Sequence, residues 1–208
     1  MFYWLEVLGK PLETFKKIEQ ANKAFINILF ILITISILQY FSILNLIDTL
    51  FVEELVELSV DIPETLLVVI MSGFQLFITF VNIIFLGIIF KLISLFFFKT
   101  MNFKTIMFVI ILAQLPNSLS LFINSFFIQG FMEGNVLSIF SLAYLVAGFV
   151  DLPIVLHILN TVELFQVWSA VIVAAGFYVY NGKYSFGKTF TIVFVTYLLI
   201  KTVSSFFI

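Results

Sequence analysis

Glu163 and Gln166 stand three residues apart at the start of the apolar run TVELFQVWSAVIVAAGFYVY (161–180), so on a helix they share one face. A carboxylate beside an amide offers a negative charge and hydrogen bonds to a cation, a lipid headgroup or a partner helix. A plainer role competes and is the one expected here. A glutamate near a helix N-terminus favours the macrodipole, and Trp168 beside it is suited to anchor at a membrane interface. Gln114, Pro116, Asn117 and Asn124 form a second polar group, within TIMFVIILAQLPNSLSLFINSFFI (105–128). Pro116 frees the carbonyl of Leu112, a gap that neighbouring polar groups re-satisfy in membranes. Gln114 and Asn117 are three apart and are expected to face other helices as hydrogen-bonding glue, worth about 0.6 kcal/mol each. Asp151, His157 and Glu163 follow one another at intervals of six residues, about 120° apart on a helix, with Pro153 intervening. That geometry favours a hydrogen-bonded or titrating interface histidine over a metal site, and no HExxH spacing occurs.

Other chemistries lack their residues. There is no cysteine, hence no disulfide or thiolate site. With a single histidine and no nucleophile-elbow serine, a hydrolase triad is not expected. NGKYSFGK (181–188) lacks phosphate-loop spacing. All ten basic residues are lysines, the net charge is −2, and no basic cluster suits a nucleic acid. The expectation is a protein that is not an enzyme, with no cofactor and no nucleic-acid partner.

The elements that position these residues follow from composition. Of 208 residues, 62% are hydrophobic and 11% charged, and the mean hydropathy is +1.22. A soluble domain could not hide that much apolar surface. Crossing hydrocarbon takes about 20 apolar residues as a helix, which predicts spans at 24–47, 65–90, 105–128, 161–180 and 189–208. Residues 135–160 hold an uncharged, mostly apolar run of only 15 residues, Val136 to Val150, before Asp151 and Pro153. They read as a re-entrant or interfacial helical segment. The fold class is thus all-α: one polytopic membrane domain of five transmembrane helices plus that segment. Residues 1–23 form a cytoplasmic amphipathic segment, with Leu12, Phe15 and Ile18 at helical spacing and Pro11 in the first turn. Ala170-xxx-Ala174 and Ala143-xxx-Ala147 are small-residue faces that let helices approach closely.

Lysine placement sets orientation. Lys10, Lys16, Lys17 and Lys23 precede the first span, and Lys91, Lys99 and Lys104 fill the second connection. The stretch 48–64 holds six acids and no lysine, and Lys183 and Lys188 separate the last two spans. This puts the N-terminus inside and the acidic connection outside. The C-terminus is then outside, with Lys201 snorkelling to the outer headgroups. The abundance of Phe, Ile, Asn and Lys suggests an AT-rich bacterial genome and so a bacterial cytoplasmic membrane.

Three stretches resemble the Yip domain family of Ypt-interacting proteins, in its bacterial branch. PLETFKKI (11–18) is similar to the segment before that family's first span, and NFKTIMFVIILAQLPNSL (102–119) to its third span with an intramembrane proline. VELFQVWSAVIVAAGFYVYNGKYSFGK (162–188) is similar to its acidic-Leu-Phe-x-x-Trp start, small-residue span and basic turn. The resemblance implies five helices, a cytoplasmic N-terminus and no known catalytic chemistry. Eukaryotic relatives bind small GTPases through a long cytoplasmic domain that the first 23 residues here do not supply. The function expected is a membrane adaptor or a transport or trafficking accessory, in contact with lipid and with other membrane proteins or itself. The alternative is a transporter or channel for small solutes, ions or lipids.

The orientation makes a direct prediction for this cysteine-free chain. With five spans, Asn160→Cys should react with an impermeant maleimide in intact cells and Asn181→Cys should not. The reverse pattern would mean that 135–160 crosses.

Overall fold

The structure, a computed structural model, describes residues 3–21, 24–50, 63–98, 101–127, 138–150 and 152–205. It is an all-α membrane helix bundle. The elements are α1 (Tyr3–Gly9), α2 (Pro11–Ala21), α3 (Ala24–Leu50), α4 (Glu64–Phe97), α5 (Phe103–Asn124), α6 (Leu142–Val146), α7 (Pro153–Asn160), α8 (Leu164–Asn181) and α9 (Phe186–Ser205). Four of them, α3, α4, α5 and α8, are long and apolar enough to cross a membrane, and α9 is apolar over Phe186–Ile200. Most of the expected acidic connection and the 129–135 turn lie outside the described residues.

Helix ends follow local chemistry. Asn102 caps α5 by accepting from the Lys104 N–H at 3.3 Å, and Gly182, at φ 61°, ends α8 in the left-handed region that glycine adopts freely. Helix α4 runs seven residues past the expected boundary at 90, reaching about 51 Å at 1.5 Å per residue. Lys91 does not stop it, because the Nζ folds onto the Met101 carbonyl at 2.6 Å.

Helices α5 and α8 form the centre. Each is 61% buried over its apolar window, against 28% for α3 and 22% for α4, so the outer pair gives most of its surface to lipid. Small residues explain the difference: Ala170, Ala174 and Ala175 are fully buried, and a Cβ on Gly176 would sit 2.6 Å from both methyls of Val109. Helix α5 also touches α3 and α4, while α9 packs on α8.

The apolar stripe of α2 does not face outward. Phe15 and Ile18 are buried with Val7 of α1 in the common core, and the Phe15 ring stands edge-on to Phe108 (6.3 Å) and Tyr180 (5.9 Å). Glu13, Lys16 and Lys17 stay exposed, and Lys17 pairs with Glu6 at 2.8 Å. The amphipathic pattern thus serves a protein surface, α5 and α8, where the sequence suggests a membrane surface.

Within 135–160, the described residues form two short helices packed on each other, α6 and α7, of about 8 and 12 Å. Neither matches a hydrocarbon core about 30 Å thick. Antiparallel pairing of Ser141 with Glu163 closes the segment: the Leu142 N–H donates to the Val162 carbonyl (3.0 Å) and the Leu164 N–H to the Phe140 carbonyl (3.2 Å). The chain therefore leaves and returns at one level of the bundle. The Lys-bearing connections meet at the opposite end, where Phe98 and Tyr184 touch at 5.8 Å and Lys183 and Lys188 lie over the Tyr184 ring.

The α5–α8 contact can be tested with two glycines. Gly176→Val should lower the melting midpoint in detergent through overpacking of about 1–3 kcal/mol. Gly73→Val, where nothing lies within 4 Å, should not. Equal midpoints would remove Gly176 from the interface.

Candidate functional site

On α4, Gln75, Thr79 and Asn82 recur at i, i+4 and i+7; on α5, Gln114, Asn117, Ser118 and Asn124 recur at i, i+3, i+4 and i+10. These two polar stripes face each other across a cavity of about 630 Å³, completed by Gln39 of α3, Ser138, and Glu163 and Gln166 at the start of α8. It runs from the middle of α5 at Gln114 to the helix end at Asn124, about 15 Å. Its α4 wall includes Ile78, Val81 and Phe85, which are also exposed on the outside of the bundle, so the cavity opens sideways toward lipid. A smaller chamber of about 140 Å³ shares Asn82, Asn117 and Gln166 and extends to Tyr197 of α9.

Glu163 is the single charged side chain among the described lining residues. It occupies the N-cap position of α8 yet makes no side-chain cap to its own helix. Its Oε1 accepts instead from the Ser120 hydroxyl and from the Ser138 hydroxyl at 2.9 Å. Asn124 Nδ2 donates to both of those serines, at 3.0 and 2.9 Å, and its Oδ1 accepts from the Ile139 N–H at 3.2 Å. The two serine hydroxyls thus converge on one carboxylate oxygen with the Asn124 amide behind them, a pattern that stabilises negative charge. Among the described residues, no hydrogen bond reaches Oε2.

The deeper part is neutral. Asn117 Nδ2 donates to Gln114 Oε1 at 3.2 Å, and the Ser169 hydroxyl lies 2.8 Å from the Ala113 carbonyl and 3.0 Å from Asn117 Oδ1. Buried Pro116 sits inside this turn, so a side chain from α8 braces the helix where proline weakens its ladder. Gln39 Nε2 donates to Thr79 Oγ1 at 2.7 Å. Three amide atoms are left over: Gln39 Oε1, Gln114 Nε2 and Gln166 Nε2 are buried without a partner. Each such group costs about 1–3 kcal/mol unless something supplies its hydrogen bond.

Of the residues singled out in the sequence, Gln114, Asn117, Asn124, Glu163 and Gln166 converge here. Glu163 stands at the helix start, as the N-cap of α8, and its carboxylate also accepts from Ser120 of α5 and Ser138 of the returning segment. Trp168 lies elsewhere: its Nε1 donates to the Leu8 carbonyl at 2.9 Å, tying α1 to α8, so its indole is held by protein. Asp151 lies outside the described residues, as does the side chain of His157, whose backbone belongs to α7. Gln39, Gln75, Thr79, Asn82, Ser118, Ser120 and Ser138 were not anticipated; the i, i+4, i+7 stripe on α4 is the signal that would have revealed three of them.

No protein-family model, curated protein or solved structure matches this chain.

Asn124→Leu tests the network. It strips the acceptor from the Ile139 N–H, a loss of about 1–3 kcal/mol, so amide exchange should accelerate across 138–141 and stay unchanged in 105–112. Unaltered exchange at 138–141 would dissolve the link between Asn124 and the returning segment.

Proposed function

We propose that this protein is a non-enzymatic integral membrane protein that binds a small polar ligand in the cavity and carries it through part of the bilayer. The observation that carries this reading is the cavity itself: amides and hydroxyls from four helices line it beside one half-buried carboxylate, and three amide atoms await a partner. Burying so many polar groups in hydrocarbon is costly, and such groups inside membranes mark ligand or ion pathways. A lateral opening suits a ligand that arrives from the bilayer. The reading adopted is thus the transport alternative, ahead of the adaptor role.

Its orientation is part of the proposal. The connections at 91–104 and 183–188 share one end of the bundle, and α1–α2 carry further lysines, which supports a cytoplasmic location for that end. Five spans with 135–160 dipping from the outside fit this arrangement, and the cavity then occupies the outer half. The Yip resemblance is compatible with it, and its three stretches coincide with α2, α5 and α8. Those helices are occupied with one another, which leaves the resembling segments little free surface for docking a partner. An adaptor role retains one support: α4 is 22% buried over a long apolar window, a surface that fits another membrane protein as well as lipid.

Reconstitution in liposomes, with ion-flux and lipid-scrambling assays, tests the transport reading. The expected result is movement of one ligand class that Asn117→Leu and Glu163→Leu each reduce at least about tenfold, the worth of a hydrogen bond to a charged group. No flux of any class, together with a stable membrane partner recovered by crosslinking, would favour the adaptor.

A further inference from the structure

The charges and depths of the polar groups specify a ligand. We infer that the cavity takes a phosphoethanolamine-type headgroup, a primary ammonium two carbons from a phosphodiester, with the ammonium on Glu163 Oε2 and the phosphate oxygens on Gln114 Nε2 and Gln166 Nε2. This rests on the cavity being a ligand site, as proposed above, and names the ligand's chemistry.

Charge is the first argument. One carboxylate and no lysine among the described lining residues give a net anionic ligand repulsion and no counter-charge. A zwitterion adds no net charge and presents its cation to Glu163. The free valences are the second. Oε1 is saturated by two serine hydroxyls while Oε2 is open. Gln114 and Gln166, 3% and 5% exposed, each hold an unpartnered N–H donor, which requires an acceptor on the ligand. Gln39 Oε1, unpartnered as well, takes a second ammonium proton or a bridging water. A primary ammonium has the protons to give, whereas a quaternary ammonium has none.

Spacing is the third argument. Glu163 and Gln166 lie one turn apart on one face, about 5–6 Å between Cβ atoms, a gap that an ethanolamine bridge covers. Along α8, Gln166 lies deeper than Glu163; along α5, Gln114 lies deeper than Ser120, whose hydroxyl holds the carboxylate. The ammonium therefore sits nearer the bundle end and the phosphate nearer its middle, the order in which a lipid headgroup stands in its leaflet. The opening beside Ile78, Val81 and Phe85 gives acyl chains an exit into the bilayer. That mouth selects the lipid over a free phosphoethanolamine ester.

The test is native mass spectrometry of the full chain released from nanodiscs holding equal phosphatidylethanolamine, phosphatidylcholine and phosphatidylglycerol. The expected result is preferential retention of phosphatidylethanolamine by about tenfold, the worth of one hydrogen bond to a charged group. Glu163→Gln, which keeps the Oε1 acceptor and the shape, should erase the preference; a matched melting midpoint would establish that the variant is folded. Should that variant fail to fold, Gln166→Leu, which removes a donor to the phosphate, is read by total retention, which should fall for all three lipids; unchanged retention in a folded Gln166→Leu would overturn the phosphate assignment. Equal retention of all three lipids by the wild-type chain would overturn the assignment, as would a preference unchanged in a folded Glu163→Gln. Glycerophosphoethanolamine added in solution separates the sources: if it binds and the lipid does not, the lipid assignment is wrong. Selective retention without flux would leave the headgroup assignment standing and count against transport; flux without selective retention would do the reverse.

Discussion

Where Gly176 meets Val109, the backbones of α8 and α5 approach as closely as side chains allow, and the rest of the bundle is arranged around that contact. Lipid tails are as apolar as leucine, so hydrophobicity gives membrane helices little reason to prefer each other. Close packing and interhelical hydrogen bonds must supply the preference. Here both come from one pair: alanines and a glycine on α8 admit α5, and Ser169 reaches the Ala113 carbonyl beside Pro116. Remove the small residues and the serine no longer reaches; remove the serine and the proline turn loses its brace. Helices α3, α4 and α9 then close around this pair with their lipid faces outward.

The same contact divides the bundle along its length. Toward the α5 N-terminus the interior is aromatic, with Phe90 and Phe98 each against Phe177 (5.6 and 5.2 Å) and Phe90 against Tyr197 (5.4 Å). Toward the α5 C-terminus it is polar and hollow. A hollow half survives in hydrocarbon only if its groups satisfy one another, and the Asn124–serine–Glu163 network does so at the rim. Deeper in, three amide atoms are left over. The ligand proposed above would relieve that imbalance.

Legibility in the sequence followed the range of the interaction. Lipid-facing runs are long and local, so the helices were readable from apolar length, while the caps Asn102 and Gly182 emerged only with the structure. Gln114, Asn117, Glu163 and Gln166 were legible as polar residues sharing faces three apart. What joins them was not: Ser120 and Glu163 are 43 residues apart, and Gln39 and Thr79 are 40 apart. A lone serine or glutamine in an apolar run carries no mark of which helix it will meet. Trp168 illustrates the converse, since an interfacial indole and one bonded to the Leu8 carbonyl read the same in one dimension. The outward reading of α2 failed on similar grounds, because an amphipathic stripe fits a protein groove and a membrane surface equally well.

Tyr197 belongs to both halves, and this constrains how they communicate. It walls the smaller polar chamber and packs against Phe90 at the edge of the aromatic half. Its hydroxyl is buried without a partner. On the proposed transport reading, a ligand passing from the cavity toward the Lys-bearing end would part Phe90 from Tyr197 and Phe177, pairs worth about 0.5–1.5 kcal/mol each beyond their buried area. That barrier consists of side-chain rotations, whereas displacing α5 from α8 would break the contact that organises the fold. The passage of lowest cost therefore leaves the central pair intact and turns rings on α4 and α9, the helices that pack on that pair from outside.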